Sequence, residues 1–250
     1  MGSPVIFVHG IGASASVWEK FNIPDHPVFY ISFSDRFADP ARLAPELKEF
    51  IDRVLRETRQ NKVILVCHSL GGLAARKYLV DFKDSHQVEK LILLSTPNLG
   101  SVGLSFNWLP LLLIILGALG YRYLWPLLFG AVGLIWEMVS YVRGVWLLSE
   151  AAWAMRPRSR FLKELNSARM PEDIKYVSIL SDTRVLPHHL VNLLLFREGG
   201  DGAVPLSSQR LSSQCVPNFS GLDYTELPIS LPHFEIPRRA EAAILQALKL

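Results

Sequence analysis

Ser69 stands where the apolar run Val63-Ile64-Leu65-Val66-Cys67 gives way to the small residues Gly71-Gly72-Leu73-Ala74-Ala75, with His68 and Leu70 on either side of it. A strand that turns sharply into a helix lifts the corner residue above the sheet, and the positions two before and two after it must be small where they approach one another. Gly71 meets that need on one side. On the other, Cys67 occupies a place where glycine is usual, and its short side chain fits where a branched one could not. A serine hydroxyl becomes a nucleophile when an imidazole removes its proton, and the imidazole needs a carboxylate to fix its tautomer and stabilise its cation. The predicted chemistry is therefore acyl transfer through a Ser69 ester.

Of the seven histidines, His233 alone lies near the C-terminus, after the strand-like Tyr224–Ile229 and before a final helix, and it is the expected base. His9 and His68 flank motif positions and are expected to brace loops, while His188 and His189 belong to a loop or cap contact. Two aspartates compete for the acid. Asp182 directly follows the apolar run Tyr176–Leu180, whereas Asp201 lies between glycines that let its loop turn sharply, with Val204-Pro205 to seat it. Asp223 and Glu235 are weaker alternatives. The loop His9-Gly10-Ile11-Gly12 follows the first strand, where main-chain N–H groups can converge on a developing oxyanion; Ile11 and Leu70 are the expected donors.

The elements that position these residues are legible. Strand-length apolar runs recur at Pro4–His9, Val28–Phe33, Lys62–His68, Lys90–Ser95 and Tyr176–Leu180, with helical segments between several of them, the pattern of a parallel sheet. Continuous runs such as Leu91-Ile92-Leu93-Leu94 imply a sheet covered on both faces. A helix is predicted to start at the N-cap Asp39 with Pro40 in its first turn and to bury Leu43, Leu47, Phe50, Ile51, Val54 and Leu55. At 250 residues the chain suits one α/β domain, 1–250, carrying an insertion.

Half of the residues are hydrophobic and the mean hydropathy is +0.23, an excess concentrated in residues 104–148. Between Lys90 and Arg122, and again between Arg122 and Glu137, no charged residue occurs. A membrane span needs ~20 predominantly apolar residues, but Pro110, Gly117, Gly120 and Pro126 interrupt this stretch, so two shorter helices are expected. Three readings compete: a cap buried on the sheet, a lipid-facing lid or monotopic hairpin, and a true span. Trp108, Tyr121, Trp125, Trp136 and Trp146 favour an interfacial setting, which implies a lipid or membrane contact through this segment. The net charge of +3 comes from scattered Lys and Arg residues, which argues against nucleic-acid binding. Cys67 and Cys215 are too few for a disulfide framework. No metal-binding spacing is present, and neither a metal nor a cofactor is expected. The start lacks the features of a secretory signal, and localisation stays open between soluble and peripheral or monotopic membrane association.

Taken together, Val8-His9-Gly10-Ile11-Gly12, Cys67-His68-Ser69-Leu70-Gly71-Gly72, Ser95-Thr96-Pro97-Asn98-Leu99-Gly100-Ser101 and Gly200-Asp201-Gly202-Ala203-Val204-Pro205 resemble the lipase and esterase branch of the α/β-hydrolases, the group of bacterial lipases and inositol-deacylase-like proteins. The resemblance covers most of the chain outside the apolar insertion. It implies a minimal α/β-hydrolase of about six mostly parallel strands with helices on both faces, lacking the two antiparallel strands that begin larger members, and with 104–148 as a hydrophobic helical lid. It also implies the order Ser69, Asp201, His233, favouring Asp201 over Asp182. The implied function is hydrolysis of medium- or long-chain acyl lipid esters. The alternatives are an acyltransferase or phospholipid or glycolipid deacylase with the same three residues, and a non-catalytic membrane adaptor.

Overall fold

The computed structural model describes residues 2–18, 23–101, 149–186 and 188–250. The apolar segment 104–148 falls outside them, and so do its competing readings as cap, lid or span. Among the described residues no helix is long and apolar enough to cross a membrane.

Strands β1 (Val5–Val8), β2 (Val28–Ile31), β3 (Val63–His68), β4 (Val88–Leu94), β5 (Lys175–Ser181) and β6 (Asp223–Ile229) form one sheet in the order β2-β1-β3-β4-β5-β6. Every neighbouring pair is parallel. The five apolar runs, and the strand-like segment before His233, thus each become a strand, with ends shifted by one or two residues.

Successive side chains of a strand point to opposite faces, and here both faces are covered. Ile6, Val8, Leu65, Cys67, Leu91 and Leu93 join one cluster, while Val5, Phe7, Ile64, Val66, Ile92 and Leu94 join the other. The first face is covered by helix α1 (Pro40–Thr58), helix α2 (Leu70–Asp81) and, after a short α3 (Glu150–Ala154), helix α4 (Arg160–Ser167). Beyond β5 the chain makes α5 (His188–Val191), which runs into a π-helical turn over Asn192–Phe196, and then α6 (Leu206–Gln209). After β6, α7 (Ile236–Arg239) and α8 (Glu241–Lys249) cover the second face through Ile236, Ile244 and Ala247.

Helix α1 begins as expected. Asp39 accepts a hydrogen bond from the Ala41 N–H at 2.8 Å, Pro40 takes the first helical position, and Leu43, Leu47, Ile51, Val54 and Leu55 are buried, whereas Phe50, expected on the same face, is only half-buried at its edge, with Arg53 over its ring. It ends where Arg59 turns left-handed, φ 54°, and returns its N–H to the Leu55 carbonyl.

What positions the site is the order of the first three strands. The chain leaves β1 toward β2 on one side and returns to β3 on the other, so the loops after β1 and β3 diverge and leave a crevice at the carboxyl ends of the strands. Val8 lies beside Cys67 in the register, which brings His9-Gly10 alongside His68-Ser69. Gly71 permits this approach: a methyl group there would sit 2.6 Å from the His9 carbonyl oxygen and 2.9 Å from that of Val8.

Two outcomes are expected from these contacts. Leu47→Ala should lower unfolding stability by about 3 kcal/mol through the cavity left beneath α1, read from the urea midpoint at unchanged slope. Gly71→Ala has no flexible side chain to displace, so it should force β1 and α2 apart, with a melting temperature several degrees below wild type.

Candidate active site

Ser69 sits at φ 53° and ψ −120°, between the last residue of β3 and the first of α2. This backbone is costly for a residue with a Cβ and persists only where its surroundings hold it. Its own N–H donates to the Leu94 carbonyl at 2.9 Å, and its carbonyl accepts from the Gly72 N–H at 3.0 Å. Those two bonds fix the corner between neighbouring strand and following helix. Gly10 lies close over it: a methyl group there would meet the Ser69 Cβ at 3.1 Å and the His68 ring at 3.0 Å.

The structure brings Ser69, His233 and Asp201 together from three distant segments. His233 Nδ1 lies 2.6 Å from Asp201 Oδ2, and His233 Nε2 lies 3.0 Å from Ser69 Oγ. An ionised carboxylate can only accept, so Nδ1 carries the proton and Nε2 is left to accept from the serine hydroxyl. All three side chains are buried. The other carboxylate oxygen of Asp201 accepts from the N–H groups of Ala203 at 2.9 Å and Val204 at 2.7 Å. A backbone bond from the His233 N–H to the Asp201 carbonyl, at 3.0 Å, ties the two loops a second time.

Asp182 is placed differently. It follows β5, as expected, but its Oδ1 accepts from the Gly200 N–H at 3.0 Å, so it braces the loop that carries Asp201 and does not meet the imidazole. Asp223 pairs with Lys175 at 3.8 Å on the sheet edge, and Glu235 pairs with Arg239.

His9 and His68 brace loops. The Gly10 carbonyl can only accept, so His9 Nδ1 donates to it at 2.8 Å, and His9 Nε2 then accepts from the Phe33 N–H at 3.2 Å. Burial holds the pKa of His9 below its ordinary value, in keeping with a neutral ring that accepts at one nitrogen. His68 Nε2 donates to the His233 carbonyl at 3.1 Å, and its ring centroid lies 4.6 Å from that of His233. Burial first, and the neighbouring His233 second, push the pKa of His68 well down, so it stays neutral at neutral pH. A neutral ring here places no positive charge beside the His233 imidazole.

Ile11 follows Gly10 in the loop that lies over Ser69, and Leu70 is the first residue of α2. The amides after Ile11 are turned to other work: Gly12 N–H donates to the Arg36 carbonyl at 3.0 Å and Ala13 N–H to that of Gly10 at 3.3 Å. At Leu70, as at any first helical residue, the N–H has no partner within its own helix.

One contributor was not foreseen. Gln209, buried in α6, receives the Ser181 N–H at 2.7 Å and the Ser95 hydroxyl at 3.3 Å, and donates to the carbonyls of Ser181 at 2.9 Å and Val204 at 3.0 Å. One side chain thus joins the ends of β4 and β5 to the Asp201 loop. Its position soon after Val204-Pro205 was visible in the sequence, but nothing there marks a glutamine as buried.

Comparison with known proteins agrees with this architecture. Two curated relatives share 32% identity: the lysosomal thioesterase PPT2-B of Xenopus laevis over 111 residues and the lysosomal thioesterase PPT2 of Rattus norvegicus over 108 residues. These matches cover 41% and 40% of the chain, and only 38% and 35% of the respective relatives. Among solved structures, the mature lipase BlEst2 of Bacillus licheniformis superposes with a TM-score of 0.69 at 20% identity, over 98% of this chain and 91% of that one. That likeness bears on fold alone. A family model described as the alpha/beta hydrolase family matches residues 5–217. With this match spanning most of the chain and the six parallel strands in place, the protein belongs to the alpha/beta hydrolase family.

Proposed function

We propose that the protein is a serine hydrolase that cleaves acyl esters through a covalent Ser69 intermediate, with Asp201 and His233 as acid and base. The observation that carries this reading is the buried hydrogen-bond chain from Asp201 Oδ2 through both nitrogens of His233 to Ser69 Oγ, at 2.6 and 3.0 Å. In the proposed reaction Ser69 Oγ attacks the acyl carbon as its proton passes to His233 Nε2. The oxyanion that forms is received by the N–H groups of Ile11 and Leu70, each such donor being worth about 3 kcal/mol of transition-state stabilisation. Collapse expels the alcohol, which takes the proton from His233, and leaves the acyl group on Ser69. A water molecule deprotonated by His233 then attacks the acyl carbon, releasing the carboxylic acid and restoring the serine.

Medium- or long-chain acyl groups are the proposed substrates, favoured by the apolar composition of 104–148, where each buried CH₂ contributes about 0.8 kcal/mol. In this proposal that segment is an insertion within a single domain, 1–250. The curated relatives add a second reading, a thioester in place of the oxygen ester, since both are named thioesterases. The same acyl-enzyme serves either bond; only the leaving group differs.

Ser69→Ala should lower turnover roughly a million-fold and abolish labelling by a fluorophosphonate. Asp201→Asn should reduce kcat by about 10⁴-fold, whereas Asp182→Asn, which keeps an oxygen able to accept from the Gly200 N–H, should cost far less; equal losses at the two positions would refute the assignment of the acid. A series of p-nitrophenyl esters, run beside thioesters of matched acyl length, should show kcat/KM rising with chain length. Activity confined to acetate and butyrate would overturn the lipid-ester reading, and the ratio between the two series identifies the leaving group.

A further inference from the structure

The loop that holds Asp201 is gripped from outside by a residue with no part in the hydrogen-bond chain. Asn192, 1% exposed, lies in the π-helical turn that follows α5. Its Nδ2 donates to the Gly200 carbonyl at 2.6 Å and to that of Thr183 at 3.3 Å, and its Oδ1 accepts from the Gly202 N–H at 2.9 Å. One amide thus clasps the residue before Asp201 and the residue after it. The His188 side chain closes on the same loop, since a methyl group at Gly202 would meet it at 2.7 Å.

The opposite side of this turn is apolar and faces water. Leu193 and Leu194 are 60% and 65% exposed, and the segment leading into α5 presents Val185 and Leu186, 54% and 65% exposed. Large aliphatic side chains gathered on one short element mark a contact surface. The surrounding charge indicates its partner. Between Asp182 and Glu198, whose carboxylates accept from the Gly200 N–H and from Ser207, the chain carries no acidic residue, and the exposed arginines Arg184 and Arg197 lie at the two ends of this stretch. Neither arginine has an ion-pair partner among the described residues. Leucines between basic residues suit the boundary of an anionic bilayer, where aliphatic side chains enter the acyl region and guanidinium groups stay with the phosphates.

We propose that residues 184–186 and 188–197 carry a docking surface for anionic lipid, and that Asn192, on the inner side of the same turn, is a positioning residue that fastens this surface to the Asp201 loop. The lipid contact is thereby placed on a described element of the fold, rigidly joined to the site, and does not depend on the 104–148 segment. The coupling to Asp201 rests on the proposed function, whereas the docking does not.

The test separates the two halves of the turn, using vesicles of phosphatidylglycerol or phosphatidylcholine and a fluorophosphonate that reports on Ser69. Wild-type protein should co-sediment with phosphatidylglycerol vesicles in preference to phosphatidylcholine, and less so at high salt. The double variant Leu193→Ser, Leu194→Ser should bind phosphatidylglycerol vesicles about tenfold more weakly and keep the wild-type melting temperature. Asn192→Ala should bind vesicles as wild type does, while labelling of Ser69 slows and kcat on a soluble ester falls about 100-fold at little-changed KM. Undiminished vesicle binding by the double variant, equal wild-type binding to both lipids, or a change of oligomeric state on mutating the leucines would overturn the docking surface. A fall in KM-related binding or melting temperature alone in Asn192→Ala, with kcat retained, would overturn the positioning role. If wild-type Ser69 is never labelled, the proposed function fails and the vesicle measurements still decide the docking.

Discussion

Every arrangement at the site depends on one close approach, that of the loop after β1 to the corner at Ser69. The corner is held in a left-handed conformation, φ 53°, which a serine adopts only under constraint. A methyl group at Gly71 would sit 2.6 Å from the His9 carbonyl oxygen, and one at Gly10 would sit 3.1 Å from the Ser69 Cβ. The two glycines are therefore a spatial pair, one on each side of the serine. Because β1 and β3 are adjacent in the sheet, the strain is borne by backbone already fixed by ladder hydrogen bonds on both sides. The serine hydroxyl is thus presented from backbone paired on both sides, the precision that the proposed attack on an acyl carbon requires.

Asp201 is held by a different strategy. Its loop runs through glycines and has little secondary structure of its own, so its rigidity comes from side chains that act as substitutes for a ladder. Asp201 bonds to two amides of its own loop, Asp182 holds Gly200, and Gln209 ties Val204 to the ends of β4 and β5. The Ser101 hydroxyl donates to the Ala203 carbonyl. Such a network is stabilising when every member is satisfied and is costly when one is not.

A second polar knot lies behind the serine helix. Arg76 in α2 is fully buried, and among the described residues no carboxylate pairs with it. Its guanidinium donates to Asn98 at 3.0 Å, to Asn166 at 3.1 Å and to the Cys215 carbonyl at 2.8 Å. Burial lowers its pKa from the ordinary arginine value. Asn98 in turn donates to the Gln209 carbonyl at 3.0 Å. Through this pair α2, the segment after β4 and the chain leading away from α6 are locked together, so the helix that begins at Ser69 is fixed relative to the Asp201 loop as well as to the sheet.

By itself the sequence determined the strands, the helix from Pro40 and the serine corner, because each is written in local terms: continuous apolar runs for a sheet covered twice, an aspartate before a proline for a helix start, small residues around a turn. It also singled out Asp201 and Asp182 without separating them on residue grounds, and correctly expected His9 and His68 to brace loops. Only the tertiary structure decided which aspartate meets His233, since both follow the same stretch of sheet and differ in which way their loops are pulled by contacts distant in sequence. It alone brought Gln209 and Asn192 to the Asp201 loop and buried Arg76 with no carboxylate paired to it among the described residues. A polar side chain carries no local sign of burial; whether it faces water or closes a hydrogen-bond network is set by the partners that folding brings to it.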